Sequence, residues 1–319
     1  MTSHTLSLFR LPVIMDRFNA MRVFTRIVEL GGFAKAADSL HMPRASVTIL
    51  IKQLEAHLGV QLLQRTTRQV STTPDGKAYY LRCVSLLADL DDAEAAFSST
   101  GAEPKGLLRV DLPVSLGRMV VIPALPEFAR RYPQVRLEIG MSDRPVDLIR
   151  EGVDCVLRAG AALDEALVAR PLGSLTQITC ASREYLQQHG TPLQLEDLAH
   201  HQVIEYFSAS TSKRYGLEFV SEGGAPDHGL ACSISVNSAD GYVAACEAGF
   251  GLIQVPRYHI AGQLRSGTLV EVLRRHRPPP LALTALYPPH RQLSRRVRVF
   301  VDWLVELCDH PDIRDRLVS

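Results

Sequence analysis

Arg44, Thr48, Ile49 and Lys52 are spaced four, one and three residues apart, which places them along one side of an α-helix, and Ala45 joins that side. A guanidinium and an ammonium suit phosphate oxygens. A short hydroxyl suits a base edge, and an exposed aliphatic group suits a thymine methyl. Arg65 and Arg68 flank Thr66-Thr67 at the tip of what reads as a β-hairpin, where they suit a phosphate clamp or the minor groove. The chemistry implied is non-covalent reading of a nucleic-acid duplex.

Two helices and a hairpin must position these groups. Phe33, Ala36, Ala37 and Leu40 recur at helical spacing, His41-Met42-Pro43 breaks the run, and a second helix is expected from Arg44 to about Leu58. Val47, Ile51, Leu54 and Leu58 form its inward stripe, Gln53 and Glu55 lie farther round, and Gly59 is its stop. The pattern predicts a winged helix-turn-helix, the second helix being shaped for the major groove. Two amphipathic helices around a proline also occur in small helical domains that bind no DNA. Charge separates the two readings: residues 15–77 hold nine Lys plus Arg against five Asp plus Glu, whereas residues 78–319 hold 25 against 29. A chain of net charge +1 therefore carries a basic N-terminal module.

Beyond it, Tyr79, Cys83, Leu86, Leu90, Ala93 and Phe97 alternate spacings of four and three, an apolar seam of coiled-coil type. Asp89, Asp91, Asp92 and Glu94 occupy the other flank. The seam predicts a linker helix that pairs with a second copy; packing on its own domain is the competing reading. Ser98 to Pro104 reads as a joint. From Leu107 onward, short apolar strands alternate with helical patterns. Leu107–Pro113, Val135–Met141 and Asp154–Arg158 read as strands, with helices at Met119–Arg131 and Val146–Arg150. A second set follows: strands near Ile178–Ala181, Val203–Tyr206, Ser233–Val236 and Leu252–Val255, and a helix at Ala239–Ala248. Leu269–Val272 and Leu281–Tyr287 are expected to return to the first set, with a closing helix from about Leu293 to Leu307. This is βαβ logic, a parallel sheet with helices on its faces.

The order Phe18 to Phe24, Gly32-Phe33, Ala36-Ala37, Leu40-His41, Leu54-Glu55, Leu58-Gly59, Arg65-Thr66 and Thr73-Pro74-Asp75-Gly76 resembles the LysR-type transcriptional regulators. So do Gly106 to Val110, Pro123 to Phe128, Arg131-Tyr132-Pro133, Glu151 to Asp154 and Ala248 to Gly251, so the resemblance runs from about residue 15 to 305. There are departures: Gly32 stands for a serine cap, Leu63 for a phenylalanine and Thr72 for a leucine. Ile49 stands where a polar or basic base-reading residue is common, which predicts an altered operator preference.

The resemblance implies an α plus α/β chain: a winged helix-turn-helix over 15–76, a linker helix and hinge over 77–104, and a two-lobed, periplasmic-binding-protein-like effector domain over 105–319. Lobe I is expected over 105–165 and 267–319, lobe II over 166–266, and residues 1–14 as an extension lacking order. It implies a homodimer, and a tetramer through effector-domain contacts, bound to promoter DNA and to a small molecule such as an organic or aromatic acid. In open α/β sheets such a ligand sits where strands end and helices begin. Ser115 is the first choice for a carboxylate, Ser142 ends the next strand beside Asp143, and Arg158 is a plausible counter-ion. In the second lobe Asn237 and Ser238 precede a helix, and Phe207 and Pro256 end strands. Each of these side chains also suits a helix cap or a solvated charge.

Other classes fit less well. There is no G-x-S-x-G, H-E-x-x-H, P-loop or G-x-G-x-x-G motif, so no enzyme, cofactor or metal is expected. The six cysteines form no C-x-x-C pair and read as reduced thiols of a cytoplasmic protein, with a redox-sensing role for Cys180 or Cys232 as the minor reading. A solute-binding transport component would share the C-terminal architecture but not the basic module. An architectural DNA protein would leave the cleft domain unexplained. No apolar run approaches a membrane span, and the first 14 residues lack the features of a signal peptide.

Overall fold

The computed structural model describes residues 15–65, 70–95, 103–160, 166–208, 212–220, 230–289 and 294–318. It divides into two compact units, separated between Phe97 and Ser98.

In the N-terminal unit α1 (Arg17–Leu30), α2 (Phe33–Ser39) and α3 (Arg44–Leu58) pack around one core. Phe24, Ile27, Ala37, Val47, Ile51 and Leu54 are almost wholly buried there, and each large apolar side chain stabilises the fold by roughly 1.5–3 kcal/mol. Asp16 caps α1 by accepting the Asn19 N–H at 3.0 Å. Gly59 ends α3 at φ 71°, a left-handed conformation that favours glycine. Pro43 is the residue before α3, not part of its first turn; its ψ of 136° is extended, as the start of a new helix requires.

The wing is an antiparallel pair, β1 (Leu63–Arg65) and β2 (Val70–Thr72), joined in register Leu63 to Thr72 and Arg65 to Val70. The linker helix α4 (Pro74–Ala95) starts directly after it. Thr73 fixes that junction: its hydroxyl donates to the Gln61 carbonyl at 2.7 Å and accepts the Gly76 N–H at 2.9 Å. Gly76 lies against the wing so closely that an added Cβ would meet the Leu62 carbonyl oxygen at 1.9 Å. The sequence Thr-Pro-Asp-Gly is thus a helix start clamped to a strand.

The C-terminal unit holds one five-stranded sheet, in order β4-β3-β5-β13-β6, from β3 (Gly106–Leu112), β4 (Val135–Met141), β5 (Cys155–Ala159), β6 (Val168–Leu175) and β13 (Leu281–Tyr287). β3 runs parallel to β4 and β5, whereas β13 is antiparallel to both β5 and β6. A continuous helical run from Val114 to Arg131 crosses between β3 and β4: α5 (Val114–Leu116), a π-helical turn (Gly117–Val121) and α6 (Ile122–Arg131). The short α7 (Leu148–Glu151) leads into β5. Phe128 of α6 packs on Phe300 and Trp303 of the closing helix α11 (Arg295–Asp309), with ring centroids 5.4 and 5.2 Å away.

The second lobe comprises β7 (Gln177–Ser182), α8 (Arg183–His189), β8 (Gln202–Phe207), β9 (Arg214–Tyr215), β10 (Ala231–Val236), α9 (Ala239–Glu247), β11 (Ile253–Pro256), α10 (Ala261–Ser266) and β12 (Leu269–Val272). Its strands form two three-stranded sheets, β11-β7-β12 and β10-β8-β9, and a parallel bridge between Val203 and Leu252 joins them.

This pairing corrects the expected lobe boundaries. β6, assigned to the second lobe, is an edge strand of the first lobe's sheet, paired with β13. Pro171 and Gly173 hide it, since both are unusual inside a strand and tolerated at an edge. β12, expected to return to the first lobe, stays in the second, paired with β7 from Leu269–Ser182 to Val272–Thr179. The closing helix is followed by α12 (Pro311–Val318), which the periodicity did not reveal.

Candidate nucleic-acid interface and ligand cleft

On α3 the inward and outward faces are cleanly divided. Val47, Ile51 and Leu54 are buried, whereas Arg44, Ala45, Ile49 and Lys52 are exposed, Ile49 to 54 %. Ile49 thus stands on the solvent side of α3, between Arg44 and Lys52 in sequence, and is not part of the buried core. Thr48 is half-buried and donates its hydroxyl to the Arg44 carbonyl at 3.1 Å. Arg44 lies 3.7 Å from Asp38, but both side chains are about 70 % exposed, so the pair is weak and leaves the guanidinium free to exchange partners.

The wing is held to α3 by Glu55, whose Oε1 accepts the Leu62 and Leu63 N–H groups at 2.9 and 3.1 Å. Sequence reading placed Glu55 only on the flank of the helix; an acid four residues before a helix stop and just ahead of a short strand was the available signal. Arg65 closes β1 at the base of the wing tip. Arg68 lies outside the described residues.

The linker seam is divided by its own domain. Cys83 is fully buried in the helical core, and burial pushes its thiol up to about 12. Tyr79 packs against Phe24 with ring centroids 5.6 Å apart. These two residues therefore belong to the subunit's own core. A helix that docks on its domain with one end uses the same apolar period there as a coiled coil would, so spacing alone does not tell the two apart. Leu86 is 48 % exposed and Leu90 half-buried, so the outward seam begins at Leu86. The side chain of Ala93 and all of Phe97 lie outside the described residues.

In the C-terminal unit most of the expected ligand contacts are bonded to other parts of the fold. Ser115 is 5 % exposed, and its Oγ lies 2.9 Å from the Tyr258 hydroxyl, whose pKa burial raises to about 12. Ser142 donates to Asp111 at 3.2 Å. Both terminal nitrogens of Arg158 reach the same carboxylate at 3.3 Å and also donate to the Leu157 and Arg144 carbonyls. Burial raises the Asp111 pKa, opposed by Arg158 and Ser142. Arg158 is thus not a free counter-ion: its charge compensates a buried acid that sequence reading did not single out.

Ser238 caps α9 by accepting the Gly241 N–H at 3.4 Å, and the exposed Asn237 accepts the Tyr206 hydroxyl on its carbonyl at 3.1 Å. Phe207 is half-buried where β8 pairs with β9, and Pro256 ends β11 opposite Gln177. The structure brings Ser115, Ser142, Asp143 and α9 to one region; it keeps Phe207 and Pro256 at the strand ends. The π-helical turn begins two residues after Ser115, and Gly117 within it is pressed against the Met141 side chain. Such turns inside helices are frequent at functional sites. All six cysteines are free; Cys180 is buried, with its thiol raised by a hydrogen bond to Cys246 and by burial, and Cys232 is half-buried. Among the described residues no helix is long and apolar enough to cross a membrane.

A basic winged helix-turn-helix joined through a long helix to a two-lobed α/β unit defines a class, the transcriptional regulators that couple DNA binding to a ligand-binding domain. Residues 18–77 match the family described as bacterial regulatory helix-turn-helix protein, lysR family, and residues 101–309 match the LysR substrate binding domain. The transcriptional regulator YhjC of Escherichia coli K12 is 40 % identical over 290 residues, covering 91 % of this chain and 97 % of that protein. An HTH-type transcriptional repressor of Pseudomonas aeruginosa is 37 % identical over 304 residues, covering 94 % of this chain and 95 % of that protein. The solved structure of CrgA, a LysR-type regulator from Neisseria meningitidis, is similar at a TM-score of 0.57 and 32 % identity, covering 92 % of this chain and 99 % of that one. The chain belongs to the LysR family of transcriptional regulators, and is not an enzyme.

Proposed function

We propose that the protein binds promoter sites of dyad symmetry as a homodimer or tetramer, with α3 in the major groove and the wing against the flanking backbone. The observation that carries this reading is the outward face of α3, where Arg44, Ala45, Ile49 and Lys52 are exposed beside the half-buried Thr48, opposite the buried Val47, Ile51 and Leu54. Arg44 and Lys52 supply phosphate contacts, Thr48 and Ile49 face base edges, and Arg65 and Arg68 extend the footprint through the wing. Two copies joined along Leu86 and Leu90, and onward through Ala93 and Phe97, would present two such helices to one face of the duplex.

A small molecule between the lobes modulates that binding. Ser115, Ser142, Asn237 and Ser238 are the groups assigned to contact it, with Arg158 acting through Asp111. The effect is a population shift: the ligand must prefer one arrangement of the assembly by about 1–3 kcal/mol for coupling of ordinary strength. The test is DNase footprinting on the DNA upstream of the protein's own gene, with a thermal-shift screen of organic acids alongside it. A dyad footprint that recedes at higher salt supports the reading; no footprint at any salt overturns it. A stabilising compound whose effect falls in Ser115→Ala supports the cleft.

A further inference from the structure

Two helical segments of the C-terminal unit start close to one another, one in each lobe. The run from Val114 to Arg131 begins in the first lobe, and α9 begins at Ala239 in the second. The first amides of a helix have no acceptor within that helix, and both segments expose the positive end of their dipoles. Left bare, two such ends facing each other repel. One side chain stands between them. Asp143, in the loop after β4, accepts the Val114 N–H on Oδ1 at 3.2 Å and the Ala239 N–H on Oδ2 at 2.8 Å.

Each oxygen of that carboxylate serves a different lobe. The arrangement is also reciprocated. Asp240, the next residue of α9, reaches back to Arg118 of the first-lobe run at 3.4 Å, and its Oδ1 lies 2.8 Å from Nε2 of the buried His259. The Ser115–Tyr258 contact is of a different kind: Tyr258 follows β11 and packs into the first lobe's core, so this bond does not involve α9.

We propose that Asp143 is a built-in latch: it holds the two lobes together across the cleft, and a ligand entering the cleft must release its bond to Ala239. This rests on the reading of the cleft as the ligand site. An internal carboxylate on a short loop acts at a high effective concentration, so the latched arrangement dominates until a ligand offers α9 something better. The Arg118–Asp240 pair is the weaker strap, because both side chains are about half exposed and solvent screens them. The ligand therefore works against one strong contact and one weak one. The lobes form the two-state element that its binding biases.

The amide of Ala239 reports the latch directly, because nothing within α9 protects it. The experiment is hydrogen exchange by NMR on full-length protein labelled with 15N-alanine, for wild type, Asp143→Asn, Asp143→Ala and Arg118→Ala, without any ligand. Asp143→Ala should exchange Ala239 at least about tenfold faster while Ala181, inside β7, keeps its rate. Asp143→Asn keeps one acceptor oxygen and should fall between. Arg118→Ala should change the Ala239 rate by less than about threefold. An unchanged Ala239 rate in Asp143→Ala overturns the latch, and so does an equal acceleration at Ala181, which would mark general loss of structure.

The cleft reading fails separately. If Ala239 opens in Asp143→Ala but no compound of the thermal-shift screen stabilises the wild type, the latch stands and the ligand site falls. If a compound stabilises wild type and Asp143→Ala equally and leaves Ala239 protected, the cleft stands and the latch falls.

Discussion

The helix α3 and the cleft of the C-terminal unit present their polar groups in opposite ways. On α3 the candidate groups point outward and meet little of their own chain, so one period of 3.6 residues sorts them from the core. In the cleft nearly every candidate is bonded to another part of the fold: Ser115 to Tyr258, Ser142 and Arg158 to Asp111, and Asp143 to two helix starts. A surface that reads a rigid duplex can be built from one element. The polar groups of the C-terminal unit come from several elements, and once buried they must be satisfied by the fold itself.

The widest contrast is within α3 itself. Leu54→Ala removes a side chain that is 1 % exposed and should cost roughly 2–5 kcal/mol, whereas Ile49→Ala should leave stability within about 0.5 kcal/mol. Thermal or denaturant unfolding of both variants checks this. Equal losses would mean that Ile49 packs in the fold, and the division of faces would be wrong.

In the C-terminal unit the largest effect is expected at Arg158. Arg158→Ala leaves Asp111 buried without its charged partner and should destabilise the unit by roughly 3 kcal/mol. The Asp111 pKa also has a sign to check. Its folded value is raised by burial, so its contribution favours the fold at low pH and is lost as pH rises through the folded pKa. Wild-type stability relative to Asp111→Asn should therefore grow as the pH falls through the range just above an ordinary carboxyl. A gap that shrinks on acidification would contradict the assignment.

A smaller effect follows at Ser115. Both Ser115→Ala and Tyr258→Phe should lower the unfolding free energy by about 1 kcal/mol, the worth of one hydrogen bond, and the double variant should lose less than the two singles combined. Full additivity in the double-mutant cycle would show that the two hydroxyls are not coupled.

Ile49 gives the finest test of the comparison. Replacing operator thymines by uracil, base by base, removes one methyl group at a time. At the position facing Ile49 wild type should lose several-fold in affinity and Ile49→Ala nothing, measured by fluorescence anisotropy. No position with that behaviour would remove Ile49 from the base-reading face.

How much of this was legible in the sequence follows from the same contrast. The helix pair, the wing and the start of the linker helix came from local signals: the Val47–Ile51–Leu54 stripe, Gly59, and Thr73-Pro74. The strands β3, β4, β5 and β13 were legible as apolar runs. What escaped depended on partners far along the chain. β6 carries Pro171 and Gly173 and is a strand because β13 pairs with it. Whether β12 belongs to one lobe or the other is decided by β7, not by its own four residues. Cys83 and Tyr79 had the right spacing for a seam, but α1 lies against them. Asp111 looked like an ordinary strand residue until Arg158, 47 positions later, came to rest on it.

The central claim, that α3 is the DNA-reading element, is tested most directly by the salt dependence of binding to the upstream DNA. The measurement compares wild type with the double variant Arg44→Ala/Lys52→Ala over a range of salt concentrations. The variant should bind more weakly at low salt, and its slope of log affinity against log salt should be shallower by about four per bound dimer, about one for each phosphate that the two copies of α3 no longer neutralise. A double variant that folds normally and keeps both the affinity and the slope of the wild type would contradict the account.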